Sequence, residues 1–68
     1  MEKVAINTQT IKLDQFLKWA EIVGSGGEAK VMIQNGHVRV NSQLATQRGK
    51  MLVKGDIVKV GDKQYQLD

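Results

Sequence analysis

The sequence has no cysteine and no proline, and only Phe16, Trp19 and Tyr65 among its 68 residues are aromatic. Without cysteine there is no disulfide framework, and no thiolate for zinc, iron–sulfur or nucleophilic chemistry. The same absence fits a reducing compartment, so a cytoplasmic location is expected. No apolar run exceeds the length of Val4-Ala5-Ile6, Val31-Met32-Ile33 or Met51-Leu52-Val53. A membrane span needs about 20 predominantly apolar residues and a secretory leader an apolar stretch of about 7–15, so neither is expected and no membrane partner is implied.

Catalytic material is equally scarce. The one histidine, His37, falls at a polar position of an alternating strand pattern and has no cysteine to pair with. Nucleophilic catalysis needs a nucleophile, a base and an orienting group that converge in a pocket. Ser25 and Ser42 are accounted for as a helix cap and a turn residue. The carboxylates are scattered, with no spacing that pairs two of them for acid–base work or gathers a ligand set for a metal. The expectation is a protein that is not an enzyme, with no cofactor, no metal and no small-molecule substrate.

Acidic residues are missing from one whole stretch. Between Glu28 and Asp56 there is none. Residues 1–29 balance to −1, whereas residues 30–63 carry Lys30, Arg39, Arg48, Lys50, Lys54, Lys59 and Lys63 against Asp56 and Asp62 alone; the whole chain is +3. Such asymmetry points to a polyanionic partner or to a basic face that keeps the protein in solution.

What is present describes one small folded domain, residues 1–68. At 41% hydrophobic and 25% charged the composition is that of a globular chain. A chain of this size buries only roughly 60% of the surface its unfolded state exposes, so the core is small. Leu13, Phe16, Leu17, Ala20 and Val23 recur at helical spacing, with Asp14 early enough to oppose the dipole and Gly24 as a stop. Ser25-Gly26-Gly27-Glu28 matches a capping box and opens a second helix with Ala29, Met32 and Ile33 as its inner stripe. Asn35-Gly36 ends it, because glycine enters the left-handed region at no steric cost.

After Gly36 the apolar period drops from near four to two. His37-Val38-Arg39-Val40 reads as a strand, Asn41-Ser42 as a turn, and Gln43-Leu44-Ala45-Thr46 as an antiparallel return. Arg48-Gly49-Lys50 is a basic loop and Lys54-Gly55-Asp56 a turn. Ile57-Val58-Lys59-Val60 and Lys63-Gln64-Tyr65-Gln66-Leu67 form a hairpin about Gly61-Asp62. Val4-Ala5-Ile6 is a candidate edge strand. The pattern predicts a strand, two helices, then three or four strands, with no repeat, linker or low-complexity tract.

Several cations have room to act together. Lys12 immediately precedes the first helix, and Lys30 shares a helical face with Gln34, away from the inner stripe. Arg39 alternates with two valines and so points away from the core. Arg48 and Lys50 flank a glycine in a loop. Lys3, Lys59 and Lys63 read as solvated cations. Gly26 and Gly27 admit two readings that can both hold, a tight turn with its cap and a phosphate approach to helix N-terminal amides. The glycine spacing matches no nucleotide-binding loop. Trp19 borders the apolar stripe and is expected to pack in the core. A base-stacking platform usually offers several exposed aromatics, so recognition rests on phosphates, sugars and shape, which suits structured RNA.

Lys12-Leu13-Asp14-x-Phe16-Leu17, Ser25-x-x-x-Ala29-Lys30, Gly36-x-Val38-x-Val40-Asn41 and Val53-x-Gly55-Asp56-x-Val58-x-Val60 together resemble the S-four domain, the small RNA-binding module named for ribosomal small-subunit protein four. The resemblance spans residues 11–60. It implies an α+β fold, the αL motif, in which two packed N-terminal helices lie against a small, mostly antiparallel sheet of three to five short strands. It also implies RNA contact through Lys12, Lys30, Arg39 and Asn41, of which only Asn41 was otherwise a turn residue.

The chain departs from the family in three places. Lys12 stands where arginine is frequent and lacks its planar fork. Gly26 replaces a frequent arginine, and Asn41-Ser42 replaces the usual Asn-Gly turn. Ser25-Gly26-Gly27-Glu28-Ala29-Lys30 with Arg48-Gly49-Lys50 is most similar to small stand-alone bacterial members linked to ribosomes. Met1 and the hairpin that closes near Leu67 fit an intact small protein. The expected function is therefore docking on structured RNA, ribosomal RNA or a ribosomal subunit, in ribosome assembly or quality control, by a monomer. Lys12, Gly26, Gly27, Lys30, Arg39, Asn41, Arg48 and Lys50 are the candidate site. The alternatives are a protein-interaction module whose basic face docks an acidic partner, a targeting domain detached from an RNA-modifying enzyme, and DNA binding.

Overall fold

A computed structural model describing residues 1–68 shows two helices and seven short strands in an α+β arrangement. In chain order these are β1 (Glu2–Val4), β2 (Thr10–Lys12), α1 (Leu13–Trp19), α2 (Gly26–Gln34), β3 (Val38–Val40), β4 (Gln43–Leu44), β5 (Met51–Val53), β6 (Ile57–Val60) and β7 (Lys63–Leu67). Five strands form a mixed sheet in the order β1-β7-β6-β3-β4, antiparallel except for β1 against β7. β2 and β5 pair antiparallel as a separate ribbon. No helix is long and apolar enough to cross a membrane.

The apolar stripes converge as their spacing requires. Leu13, Phe16 and Leu17 of α1, Ala29 and Ile33 of α2, and Val38, Val40, Val58 and Leu67 of the sheet are buried in one cluster. Burying a large apolar side chain is worth about 1.5–3 kcal/mol, so Phe16, Leu13 and Leu17, all fully buried, dominate so small a core. Every buried residue is apolar, which leaves all the charges on the surface.

Local chemistry explains the ends of most elements. The Ser25 hydroxyl accepts a hydrogen bond from the Glu28 amide at 3.2 Å, the first half of the expected capping box. Gly36 takes φ +76 after the Asn35 C-cap. The β3–β4 turn has Asn41 at φ 50 and Ser42 at φ 72, the two positive angles of a type I′ hairpin. β6 and β7 instead turn through Gly61 alone in the positive region, the type II′ solution.

Ser42 is the less suitable residue for its angle, since an L-residue there costs about 1–2 kcal/mol and glycine does not. Ser42→Gly should therefore stabilise the domain by about 0.5–1 kcal/mol after glycine's extra unfolded-state entropy, or roughly 3–6 °C in melting temperature. A thermal melt followed by circular dichroism checks this.

Four local expectations differ from what is found. The first helix stops at Trp19 instead of running to Gly24, because Glu21 takes φ 59 and the Ile22 and Val23 amides turn back to the Leu17 carbonyl at 2.9 and 3.2 Å. That early turn lets Val23 enter the core. The N-terminal strand is Glu2–Val4, two residues before the expected one, so that Val4 pairs with Leu67 and Ile6 is buried beyond the strand end. The β2–β5 ribbon is not foreshadowed, since its pairing is between segments some forty residues apart, and it puts a second strand ahead of the helices. Trp19 is half-exposed, not a core residue; its indole Nε1–H donates to the Ala5 carbonyl at 2.8 Å and ties α1 to the segment after β1.

Candidate nucleic-acid interface

The loop after β4 is held by the start of α1. Lys12 is the N-cap of α1 and offers no side-chain cap. The first two helical amides are satisfied from outside: Leu13 N–H donates to the Lys50 carbonyl at 2.8 Å and Asp14 N–H to the Arg48 carbonyl at 3.0 Å. Unsatisfied amides at a helix start need such acceptors. With their carbonyls drawn onto the helix, Arg48 and Lys50 leave their side chains exposed. The β2–β5 register sets Lys12 opposite Met51, next in sequence to Lys50. Three cations thus surround the start of α1. Asp14 is the acid among them, and its carboxylate accepts from the Gln15 amide at 2.8 Å.

α2 adds a fourth. Lys30 and Arg48 line one groove of about 130 Å³ with Ile33, Gln34 and Thr46. Thr46 also borders a second depression of about 170 Å³ that contains Gln43, Gln47 and Lys50. Lys30, Arg48 and Lys50 therefore border neighbouring depressions that share Thr46, and Lys12 stands at the start of α1 beside the loop. Gln47, which sequence reading left unassigned, and Thr46, expected in the return strand but found in the loop beyond Gln43–Leu44, supply polar groups between them. Their only sequence signal is membership of the acid-free stretch.

The other candidates sit elsewhere. Arg39 is on the outer face of the sheet, with its guanidinium 3.5 Å from the Ser42 carbonyl. Gly26 and Gly27 open α2, and Gly27 borders a broad hollow with Ser25, Glu28, Val31, Met32, Asn35 and His37. The Glu28 carboxylate on that side opposes an anion. A Cβ at Gly26 would meet nothing within 4 Å, and one at Gly27 only the Ser25 hydroxyl at 3.8 Å, so packing does not demand glycine at either place.

Asn41 is exposed, but its side chain is engaged by the neighbouring turn. Its Oδ1 accepts from the Ile57 amide at 2.9 Å and its Nδ2 donates to Asp56 Oδ1 at 3.0 Å. Asp56 Oδ2 in turn accepts from the Val53 amide at 2.9 Å. This network joins the β3–β4 turn to the β5–β6 turn, and it accounts for Asn41 and for the Gly55-Asp56 pair without a ligand.

No group of three metal-ligating side chains comes together anywhere in the molecule. The arrangement can hold phosphates through separate cations.

Comparison with known proteins agrees with this picture. The family model described as S4 domain matches residues 4–68. The chain is 40% identical over 57 residues to the probable ribosome maturation protein RlbA of Bacillus subtilis (strain 168), a match that covers 84% of this chain and 80% of that protein. The fold is similar to that of the 30S ribosomal protein S4e from Thermoplasma acidophilum, with a TM-score of 0.65 at 17% identity. That match covers 88% of this chain and 32% of the larger protein, so this chain spans about a third of that protein's length. Motif order, fold and family model coincide, and the chain belongs to the S4 domain family.

Proposed function

We propose that this protein binds structured RNA, ribosomal RNA above all, during ribosome maturation. The observation that carries the reading is the loop of residues 46–50, whose carbonyls cap α1 and whose Arg48 lines a groove with Lys30 of α2. In this reading the two helices and the sheet act as the αL arrangement of the family. Lys12, Lys30, Arg48 and Lys50 neutralise phosphates, Arg39 stands apart on the outer sheet face, and the Gly26 and Gly27 amides lie at the margin. Asn41 contributes by holding the turn in shape. The name of the Bacillus relative, a probable ribosome maturation protein, supports the process.

The protein so described is not an enzyme and needs no cofactor; it acts in the cytoplasm as a monomer. Phosphate contacts of this kind position a protein on RNA by shape, with the 2′-hydroxyl available to separate RNA from DNA.

A salt series tests the reading. Each neutralised phosphate contributes about −0.7 to −0.9 to the slope of log affinity against log salt, so four to five contacts give about −3 to −4. Ribosomal RNA should bind with that slope and more tightly than duplex DNA of matched length. Flat, weak binding to both would remove the RNA reading and leave an acidic protein partner.

A further inference from the structure

Arg39 and Lys59 stand directly opposite each other in the antiparallel β3–β6 pair. Both are exposed, and like charges so placed destabilise a sheet. No acid interrupts their row: Leu44 flanks Arg39 on β4, and Gln64 flanks Lys59 on β7. Alternation places His37 on the same side as Arg39, and sets Lys3 of β1 beside Gln66 of β7 on that side as well. Asp62 is at the rim, in the β6–β7 turn. At one end Gly36, His37, Arg39, Lys59 and Gly61 line a depression of about 190 Å³ without an apolar side chain.

The inner face of this sheet is the core, so the outer face lies on the far side of the core from the helices. The groove side and the outer face meet at the β4 edge, where Leu44 and Lys50 line one depression, so an RNA backbone following the Lys30–Arg48 groove turns round that edge to reach the outer face. Charge complementarity selects a polyanion for this face. A protein partner would look for an apolar interface core, and the face offers only Leu44 at its edge and the partly buried Ile57.

We propose that the outer sheet face, centred on Arg39 and Lys59 with His37 at its α2 end, is a second phosphate-binding surface, so that one molecule bridges two RNA segments. This rests on the reading of the Lys30–Arg48 groove as an RNA site. A cost that Arg39 and Lys59 impose on the free protein is relieved when a phosphate sits between them.

Lys59→Glu tests the bridge, because it turns the like-charge pair into an opposite-charge pair and should melt no lower than the wild type. With one labelled ribosomal-RNA hairpin bound, recruitment of a second, differently labelled hairpin is measured by energy transfer. The variant should keep affinity for the first hairpin within about twofold and recruit the second at least about tenfold more weakly, as expected for loss of a charge-assisted contact. Wild-type protein that binds one hairpin and never a second, or a folded Lys59→Glu protein that recruits it normally, overturns the bridge and leaves the groove intact. Polyglutamate that binds this face more tightly than the hairpin overturns it in favour of a protein partner. A wild-type protein that binds no hairpin removes the RNA reading itself.

Discussion

Arg48→Glu combined with Lys50→Glu is expected to lower affinity for ribosomal RNA by about 100-fold or more. Each substitution removes a charge-assisted contact worth about 1.5–3 kcal/mol, and two of them exceed two powers of ten. The slope of the salt dependence should become shallower by about 1.4–1.8 at the same time, about 0.7–0.9 per phosphate lost. The fold should not suffer. What α1 needs from this loop is the Arg48 and Lys50 carbonyls, which every residue carries. New carboxylates beside a helix N-terminus are, if anything, favourable, by about 0.3–1 kcal/mol. A thermal melt within a few degrees of wild type together with lost RNA binding supports the groove. A folded double variant with unchanged affinity takes the loop out of the site.

Asn41→Ala should be the most damaging polar substitution. It deletes the acceptor for the Ile57 amide and the donor to Asp56, each bond worth about 0.5–1.5 kcal/mol. It also leaves alanine at φ 50, which adds about 1–2 kcal/mol. The sum, about 2–5 kcal/mol, approaches the whole of the roughly 3–5 kcal/mol that a core of this size supplies. Asn41→Gly separates the two causes, since it loses the bonds and keeps the angle; after glycine's extra unfolded-state entropy it should be about 0.5–1 kcal/mol more stable than the alanine variant. Urea titration of both gives the difference. The RNA affinity of the folded Asn41→Gly protein should match wild type. A deficit beyond that explained by unfolding would put the Asn41 side chain on the RNA, as the family resemblance implied, and not only in the turn.

These two substitutions mark what sequence reading does well and where it stops. The Ser25 cap, the Gly36 stop, the Val38–Val40 alternation and both hairpin turns are decided within a few residues, by backbone sterics and side-chain hydrogen bonds that sequence displays. The end of α1 is not. Gly24 was the better local stop, yet burial of Val23 favours an earlier turn at Glu21, a residue with no intrinsic preference for that conformation. Trp19 was misjudged for a similar reason: its ring borders the stripe, and the Ala5 carbonyl that takes its N–H comes from a segment whose position is set by β1 pairing with β7.

The sequence by itself determined the two amphipathic helices, the period-two strands, the acid-free basic stretch and the cations available to a polyanion, because periodicity and charge are local properties. Only the tertiary structure decided which of those cations act together. The pairing of Lys12 with Met51 and the capping of α1 by the carbonyls of Arg48 and Lys50 join residues far apart in the chain. The β3–β6 register brought Arg39 against Lys59, and the turn network tied Asn41 to Asp56 and to the Ile57 amide. Such contacts depend on loop closure and on which backbone groups lack partners once the core has formed, and neither is written in any local stretch of residues.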